Sequence, residues 1–364
     1  MSRRSIFLDE TAEPVQGGKQ GISIVDDNTR SKTADELEKL RQEAHEHLQA
    51  RRWNEARTAF NDLLQYNRED EDALIGLAKA LDRLGEYEEM YERAQLAVQV
   101  DPGSALALAY KARALQKLER VSEATVANDQ ALLLDTNLAL AWFNRSGQQL
   151  LQDHFTEALR YAERAIELDP SDERAWSNKA LALVQLNRPY EALEAANQAL
   201  AQDPDYLLAL QVKGEILRRY ARVEEIVETM RHALEIAPDD ISSLNLMAHA
   251  QRTLSQFDQL QETTQKLVRL TPDSLFAWDS HMSALRGLGR FEDAREAIDR
   301  VLELDPTNVR YWMIKADNLY RLQRYREAVS VAERALQIDN DYAPAHRIHE
   351  KAMRMMYQQK KKKK

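Results

Sequence analysis

Residues 173–206 read ERAWSNKALALVQLNRPYEALEAANQALAQDPDY, and this stretch decides the fold. Small and apolar side chains recur three or four positions apart in each half, at Trp176, Ala180, Leu183, Ala192, Ala196 and Ala199. Such spacing places each set on one face of a helix. The segment from Asn187 to Pro189 separates the halves, and proline suits the first turn of a helix because its missing N–H would be unpaired there anyway. The stretch therefore predicts two amphipathic helices joined by a short turn.

The same pattern recurs along the chain at a fixed interval. Each unit ends with an Asp-Pro dipeptide or a partial copy of it. These dipeptides begin at Asn67, Asp101, Asp135, Asp169, Asp203, Ala237, Thr271, Asp305 and Asp339. Each lies 34 positions after the one before, with no insertion across nine units. A period of this length indicates a repeat architecture in which each unit buries its apolar face against the next.

Several positions within the unit resemble the tetratricopeptide repeat family, whose pattern has an aromatic residue at position 4, small residues at 8, 20 and 27, and proline at 32. Position 4 is tryptophan in four units, at Trp142, Trp176, Trp278 and Trp312. Position 8 holds Ala44, Ala78, Ala112, Ser146, Ala180, Gly214, Ala248, Met282 and Ala316. Small side chains at such positions let helices cross closely. The resemblance covers residues 37–342 and implies a right-handed superhelix whose first helices line the concave face.

We therefore expect an all-α protein, an α-α superhelical solenoid of nine tandem helix-turn-helix repeats. The predicted repeats are residues 37–70, 71–104, 105–138, 139–172, 173–206, 207–240, 241–274, 275–308 and 309–342. Residues 1–36 match no repeat and are predicted to be a flexible tail. Residues 343–359 are predicted to form a capping helix, because a solenoid must cover its last apolar face. Residues 360–364 form a polylysine tail.

Composition narrows the function classes. The chain contains no cysteine, which excludes disulfides and thiolate metal sites, and it lacks the ~20-residue apolar run of a transmembrane segment. We therefore expect a cytoplasmic protein. Without the five terminal lysines the chain has 45 basic and 60 acidic residues, and this acidic body argues against nucleic-acid binding by the solenoid itself. No nucleotide-binding or nucleophile motif occurs, and the histidines are scattered, so we expect no enzyme activity, metal or cofactor.

The resemblance implies that positions 2, 5, 6, 9, 12 and 13 of each unit face the concave groove, and the helical period agrees. The middle of the groove is then apolar with amides, comprising Leu106, Tyr110, Leu140, Phe143, Asn144, Leu150, Asn178, Leu181, Val184, Leu208 and Val212. Among these, Tyr110, Phe143, Asn144 and Asn178 are candidate partner-binding residues. An asparagine can donate to and accept from a peptide backbone, although it can equally satisfy the neighbouring repeat.

A second zone of the groove is basic. Arg218, Arg252 and Arg286 each occupy position 12 of successive units, and Arg219 and Arg321 occupy position 13. One interpretation is a clamp for an acidic peptide, carboxylate terminus or phosphorylated segment. The other is a charge lattice neutralised from within the chain, by Glu215, Asp279 and Asp317.

Three functions agree with these patterns. The first is an adaptor or scaffold that binds a peptide or partner protein, possibly acidic, in its concave groove. The second is an RNA- or membrane-associated assembly factor recruited through the lysine tail. The third is a regulatory subunit of a partner enzyme. The sequence leaves the oligomeric state open.

Overall fold

A computed structural model describes residues 32–362 of the chain. This part contains nineteen α-helices and no strand. Their bounds are α1 Ala34–Gln49, α2 Trp53–Tyr66, α3 Glu71–Leu84, α4 Tyr87–Val100, α5 Ala105–Lys117, α6 Val121–Leu134, α7 Ala139–Leu151, α8 Phe155–Leu168, α9 Glu173–Gln185, α10 Pro189–Gln202, α11 Leu207–Arg219, α12 Val223–Ile236, α13 Ile241–Thr253, α14 Phe257–Leu270, α15 Leu275–Gly287, α16 Ala294–Leu304, α17 Val309–Arg321, α18 Tyr325–Ile338 and α19 Ala343–Lys362. The all-α solenoid of helix pairs predicted from the sequence is confirmed.

The first helix begins inside the segment predicted to be a tail. Thr33 caps α1 by accepting a hydrogen bond from the Glu36 backbone, and the Glu36 side chain accepts one from the Thr33 backbone. This reciprocal capping box starts the helix at Ala34, three residues before the predicted boundary. The rest of that predicted tail, residues 1–31, lies outside the described residues.

The last helix is longer than the predicted cap. α19 continues beyond residue 359 as far as Lys362, so the first lysines of the terminal run are helical. Its buried face consists of Ala345, Ile348 and Ala352, which pack on α17 and α18. Lysine is a good helix former, and its charge is favourable at a helix C-terminus. Residues 363–364 lie outside the described part.

Small residues at position 8 allow the two helices of a repeat to pack closely. All six alanines at this position are fully buried, Ala44 and Ala78 among them. A similar close approach occurs at Gly76, where an added Cβ would lie 2.3 Å from Cζ of the buried Phe60 ring. The Gly76–Phe60 contact lies between α3 and α2, so a close approach also joins neighbouring repeats.

The turn between the two helices of each repeat has one backbone conformation in common. Position 15 has a positive φ in all nine repeats, at Arg51, Gly85, Glu119, Asp153, Asn187, Ala221, Ser255, Gly289 and Gln323. Only two of these residues are glycine, although the left-handed region costs other residues roughly 1–2 kcal/mol. The packing of the helix pair therefore imposes this conformation on the turn.

No helix within residues 32–362 is both long and apolar enough to cross a membrane. The same part of the chain contains no group of three or more His, Cys, Asp or Glu residues placed to hold a metal ion.

Candidate functional site

A cavity of about 630 Å³ lies on the concave face between α9, α11, α13 and the start of α15. We call it the groove cavity. Its lining residues are Leu181, Val184, Gln185, Leu208, Gln211, Val212, Glu215, Arg218, Arg219, Ser242, Asn245, Leu246, His249 and Phe276. All of them occupy position 2, 5, 6, 9, 12 or 13 of a first helix, the positions that the resemblance assigns to the concave face. The cavity thus unites residues from both predicted zones.

One wall of the groove cavity is apolar. Leu181 and Val184 come from α9, Leu208 and Val212 from α11, and the aromatic ring of Phe276 from α15. Each pair is spaced three or four residues apart, so both members project from the same side of their helix. A wall of this kind binds the apolar side chains of a ligand and excludes water from its polar groups.

The other wall is basic. Arg218 binds Glu215 through two hydrogen bonds of 2.6 and 2.8 Å, and this contact lowers the pKa of the Glu215 carboxyl. Arg219 donates to the Val184 carbonyl at 3.1 Å and lies 3.6 Å from Glu215. Both arginine side chains remain about two-fifths exposed, at 41% and 42%. One carboxylate therefore faces two guanidinium groups, and the wall keeps an excess of positive charge.

His249 lies beside this basic wall. Burial lowers its pKa, and the nearby Arg218 and Arg252 lower it further. At neutral pH the ring is uncharged, so it offers one donor and one acceptor nitrogen to a ligand.

The remaining predicted arginines lie outside the groove cavity and are paired within the chain. Arg252 contacts Asp279 at 3.1 Å. Arg286 contacts Asp317 at 2.6 Å and donates to the Ile314 carbonyl at 2.8 Å, while Arg321 lies 3.3 Å from the same Asp317. These arginines are therefore neutralised by carboxylates of the chain itself, as in the second interpretation of the basic zone.

Asn144 and Asn178 bind carbonyl groups of the chain itself. The Asn144 amide donates to Ala109 at 2.8 Å, and the Asn178 amide donates to Phe143 at 3.5 Å. Each bond joins a first helix to the first helix of the preceding repeat. Asn144 is only 1% exposed, so the structure places these amides in the packing between repeats instead of at an accessible peptide site.

Tyr110 and Phe143 are also buried, although they occupy groove positions. The Phe143 ring lies between two guanidinium groups, with Arg113 and Arg174 each 4.8 Å from its centroid. Burial raises the pKa of the Tyr110 hydroxyl. The two rings are inaccessible because the concave face is closed in this part of the chain.

A set of charge contacts closes the groove here by joining repeats 1 and 2 to repeat 5. Its members are Arg51, Asp82, Arg83, Glu173, Arg174 and Asp203. Arg83 pairs with Glu173, Arg51 contacts both Glu173 and Asp203, and Asp82 lies 2.5 Å from Arg174. We call this group the closure. The groove cavity begins where the closure ends, because α9 carries Glu173 at its start and Leu181 further along.

Two carboxylates of the closure are almost fully removed from water. The side chains of Glu173 and Asp82 are 1% and 3% exposed. Burial alone would raise the pKa of Asp82, but Arg113 and Arg174 outweigh it and hold the pKa below its usual range. The same balance, with Arg174 as the main partner, lowers the pKa of Asp172 to about 2. Asp82 and Asp172 are therefore ionised at neutral pH.

Two family models match the sequence. One, described as tetratricopeptide repeat, matches residues 41–89 and 282–343. The other, described as the N-terminal tetratricopeptide repeats region of Psidin, matches residues 149–288. No curated protein matches the chain in sequence.

Solved structures share the architecture at low identity. Human IFIT1, solved as a dimer with m7Gppp-AAAA, has a TM-score of 0.53 and 13% identity over 84% of this chain and 72% of its own. The APC/C hetero-tetramer Cut9-Hcn1 has a TM-score of 0.52 and 17% identity over 82% of this chain and 59% of its own. PilF of Pseudomonas aeruginosa has a TM-score of 0.50 and 22% identity over 57% of this chain and 95% of its own. The chain thus spans less than two thirds of the APC/C chain it matches. At these identities the likeness shows the fold alone.

Proposed function

We propose, from the premise that this chain is a tetratricopeptide repeat protein, that it is a non-catalytic scaffold binding a segment of a partner protein in the groove cavity. One observation carries the proposal. The cavity is built entirely from concave positions of successive first helices, and it sets an apolar wall beside a wall with excess positive charge.

The two walls specify the chemistry of the ligand. The apolar wall favours a segment with an aliphatic or aromatic side chain, and Arg218 and Arg219 favour a carboxylate or phosphate group next to it. Glu215 already accepts two hydrogen bonds from Arg218, so an acidic ligand must displace the Glu215 carboxylate or share Arg218 with it. We therefore expect a short acidic-apolar segment, bound with an affinity that falls as salt rises.

The ionisable groups of the cavity support a binding role. Glu215 is held by Arg218, and Arg219 donates to a backbone carbonyl. This arrangement fixes the charges in place, as a recognition surface requires, and it leaves no free carboxylate among the lining residues for acid-base chemistry.

The proposal is tested by selecting ligands from a random-peptide display library and measuring their affinity by fluorescence anisotropy. Val212→Glu places a charge in the apolar wall, and the double variant Arg218→Glu, Arg219→Glu reverses the basic wall. We expect each to weaken binding at least tenfold. Arg222→Glu is the matched control, because Arg222 is exposed and pairs with Glu225 outside the cavity.

Selected peptides that bind the parent, the two cavity variants and the control with equal affinity would refute the groove cavity as the site. Deleting residues 360–364 separates the assembly-factor alternative, because recruitment by the lysine tail would be lost in that variant and kept in the cavity variants.

A further inference from the structure

The closure joins parts of the solenoid that are distant in sequence. Asp82 and Arg174 are separated by 92 positions, Arg83 and Glu173 by 90, and Arg51 and Glu173 by 122. In a repeat protein each unit normally contacts only its neighbours, so its stability comes from local interfaces. A contact between repeat 1 and repeat 5 is an addition to that local packing.

The chemistry of the closure differs from the packing between neighbouring repeats. Neighbours are joined by buried alanine and leucine side chains, whereas the closure consists of ion pairs. In a buried ion pair the Coulombic attraction is largely offset by the cost of removing both charges from water. An ionic contact can therefore separate without exposing the apolar interfaces that hold each repeat to the next.

The closure covers a surface that would otherwise be concave and accessible. If repeats 1 and 2 moved away from repeat 5, Arg83 would lose Glu173, and Arg174 would lose Asp82 while keeping Asp172. The ring of Phe143, which Arg113 and Arg174 hold from two sides, would face the opened groove. Guanidinium groups beside an aromatic ring match an acidic ligand.

We propose that the closure is a reversible intramolecular contact that withholds the concave face from repeat 2 to the start of repeat 5 from ligands. The carboxylates of Asp82 and Glu173 occupy the guanidinium groups that an acidic segment would bind. Opening would extend the ligand groove from the groove cavity towards repeat 2. This inference goes beyond the proposed function, because the closure can open whether or not the groove cavity binds a peptide.

The test measures the distance across the closure in the full chain without a ligand. The chain has no cysteine of its own, so Asn54→Cys in α2 and Gln198→Cys in α10 provide two exposed sites for spin labels. Double electron–electron resonance is recorded for this labelled protein and for the same protein with Glu173→Gln or Arg51→Gln. Arg188→Gln is the control, because Arg188 pairs with Glu191 of its own repeat and lies outside the closure.

We expect one short distance in the parent and in the control. Glu173→Gln and Arg51→Gln should each add a second, longer distance, together with faster amide exchange in α5 and α7. An unchanged distance distribution in both closure variants, at full helicity by circular dichroism, would overturn the proposal. Should Glu173→Gln fail to fold, Arg51→Gln decides the question alone, because the Arg51 side chain is 37% exposed and its loss leaves Glu173 paired with Arg83.

Discussion

Asp82 and Arg174 lie 92 positions apart in the sequence, yet their side chains are in contact at 2.5 Å. Asp82 is at the end of the first helix of repeat 2, and Arg174 is at the start of the first helix of repeat 5. Their contact divides the concave face into a closed part and an open part. If the further inference holds, electrostatics at this one place along the superhelix decides ligand access to the closed part.

Acid should weaken this part of the fold through Asp172. Its pKa is lowered from 3.8 to about 2 in the folded protein. A lowered carboxyl pKa stabilises the fold fully above pH 3.8, and that contribution is lost as the pH falls towards 2. We expect the urea midpoint to fall across this window and to fall less in Asp172→Asn, since asparagine keeps the helix cap without the charge. Glu303→Gln, in an exposed pair with Arg300, serves as the control. Matching pH profiles for Asp172→Asn and the parent would contradict this prediction.

Gly76→Ala should destabilise repeats 1 and 2. Alanine improves helix propensity by about 1 kcal/mol, but its Cβ would lie 2.3 Å from the Phe60 ring, which is fully buried in the packed core. Overpacking of this kind costs about 1–3 kcal/mol, so we expect a net loss in thermal unfolding. In Gly147→Ala the nearest atom is the amide end of Gln116 at 2.9 Å, and the smaller loss expected there provides the comparison. A raised melting temperature for Gly76→Ala would show that Phe60 can move.

Ala221→Gly should stabilise the protein, against the usual effect of glycine. Ala221 has φ of 54°, a left-handed conformation that costs an alanine roughly 1 kcal/mol or more. Glycine adopts it without that cost, and Gly85 and Gly289 already do so at the equivalent turns. We expect a gain of about 1 kcal/mol in urea denaturation. Asn187→Gly should gain less, since asparagine tolerates this region better than alanine. Equal effects at the two turns would count against backbone strain as the cause.

His249 should titrate below its usual value of 6.5, because burial and then Arg218 and Arg252 lower its pKa. Removing one of these charges with Arg218→Gln should raise the titration midpoint in nuclear magnetic resonance spectra. Arg222→Gln, outside the groove cavity, should leave it unchanged. Binding of an acidic peptide should raise the midpoint as well, which makes His249 a reporter of ligand charge. A midpoint that does not respond to Arg218→Gln would place that charge too far from the ring to matter.

The fold could be predicted from the sequence because its determinants are local. The 34-residue interval, Trp176 with its equivalents and the small residues at position 8 all act within one unit or between neighbours. The first helix begins three residues before the predicted boundary, because the Thr33 and Glu36 capping box lies before the repeat pattern begins.

The candidate site was only partly predictable. The positions that line the groove follow from the helical period, and Leu181, Val184, Leu208, Val212, Arg218 and Arg219 do line the groove cavity. Whether a side chain at a groove position is accessible depends instead on how the superhelix curves over several repeats. Tyr110 and Phe143 therefore have the pattern of groove residues and yet are buried, because Glu173 and Arg174 come back to contact repeats 1 and 2. The sequence indicates this contact only by placing opposite charges, Asp82, Arg113 and Arg174, at groove positions. That pattern does not show which of these side chains pair.

The pairing of Asp82 with Arg174 also limits how the molecule can change in size. Inserting a further 34-residue module between them would carry Arg174 one step along the spiral and away from its partner. A module gained or lost beyond α15 would leave both the pair and the groove cavity intact. The number of units is thus constrained in repeats 1–8, which carry the closure and the groove cavity, and free to change outside them.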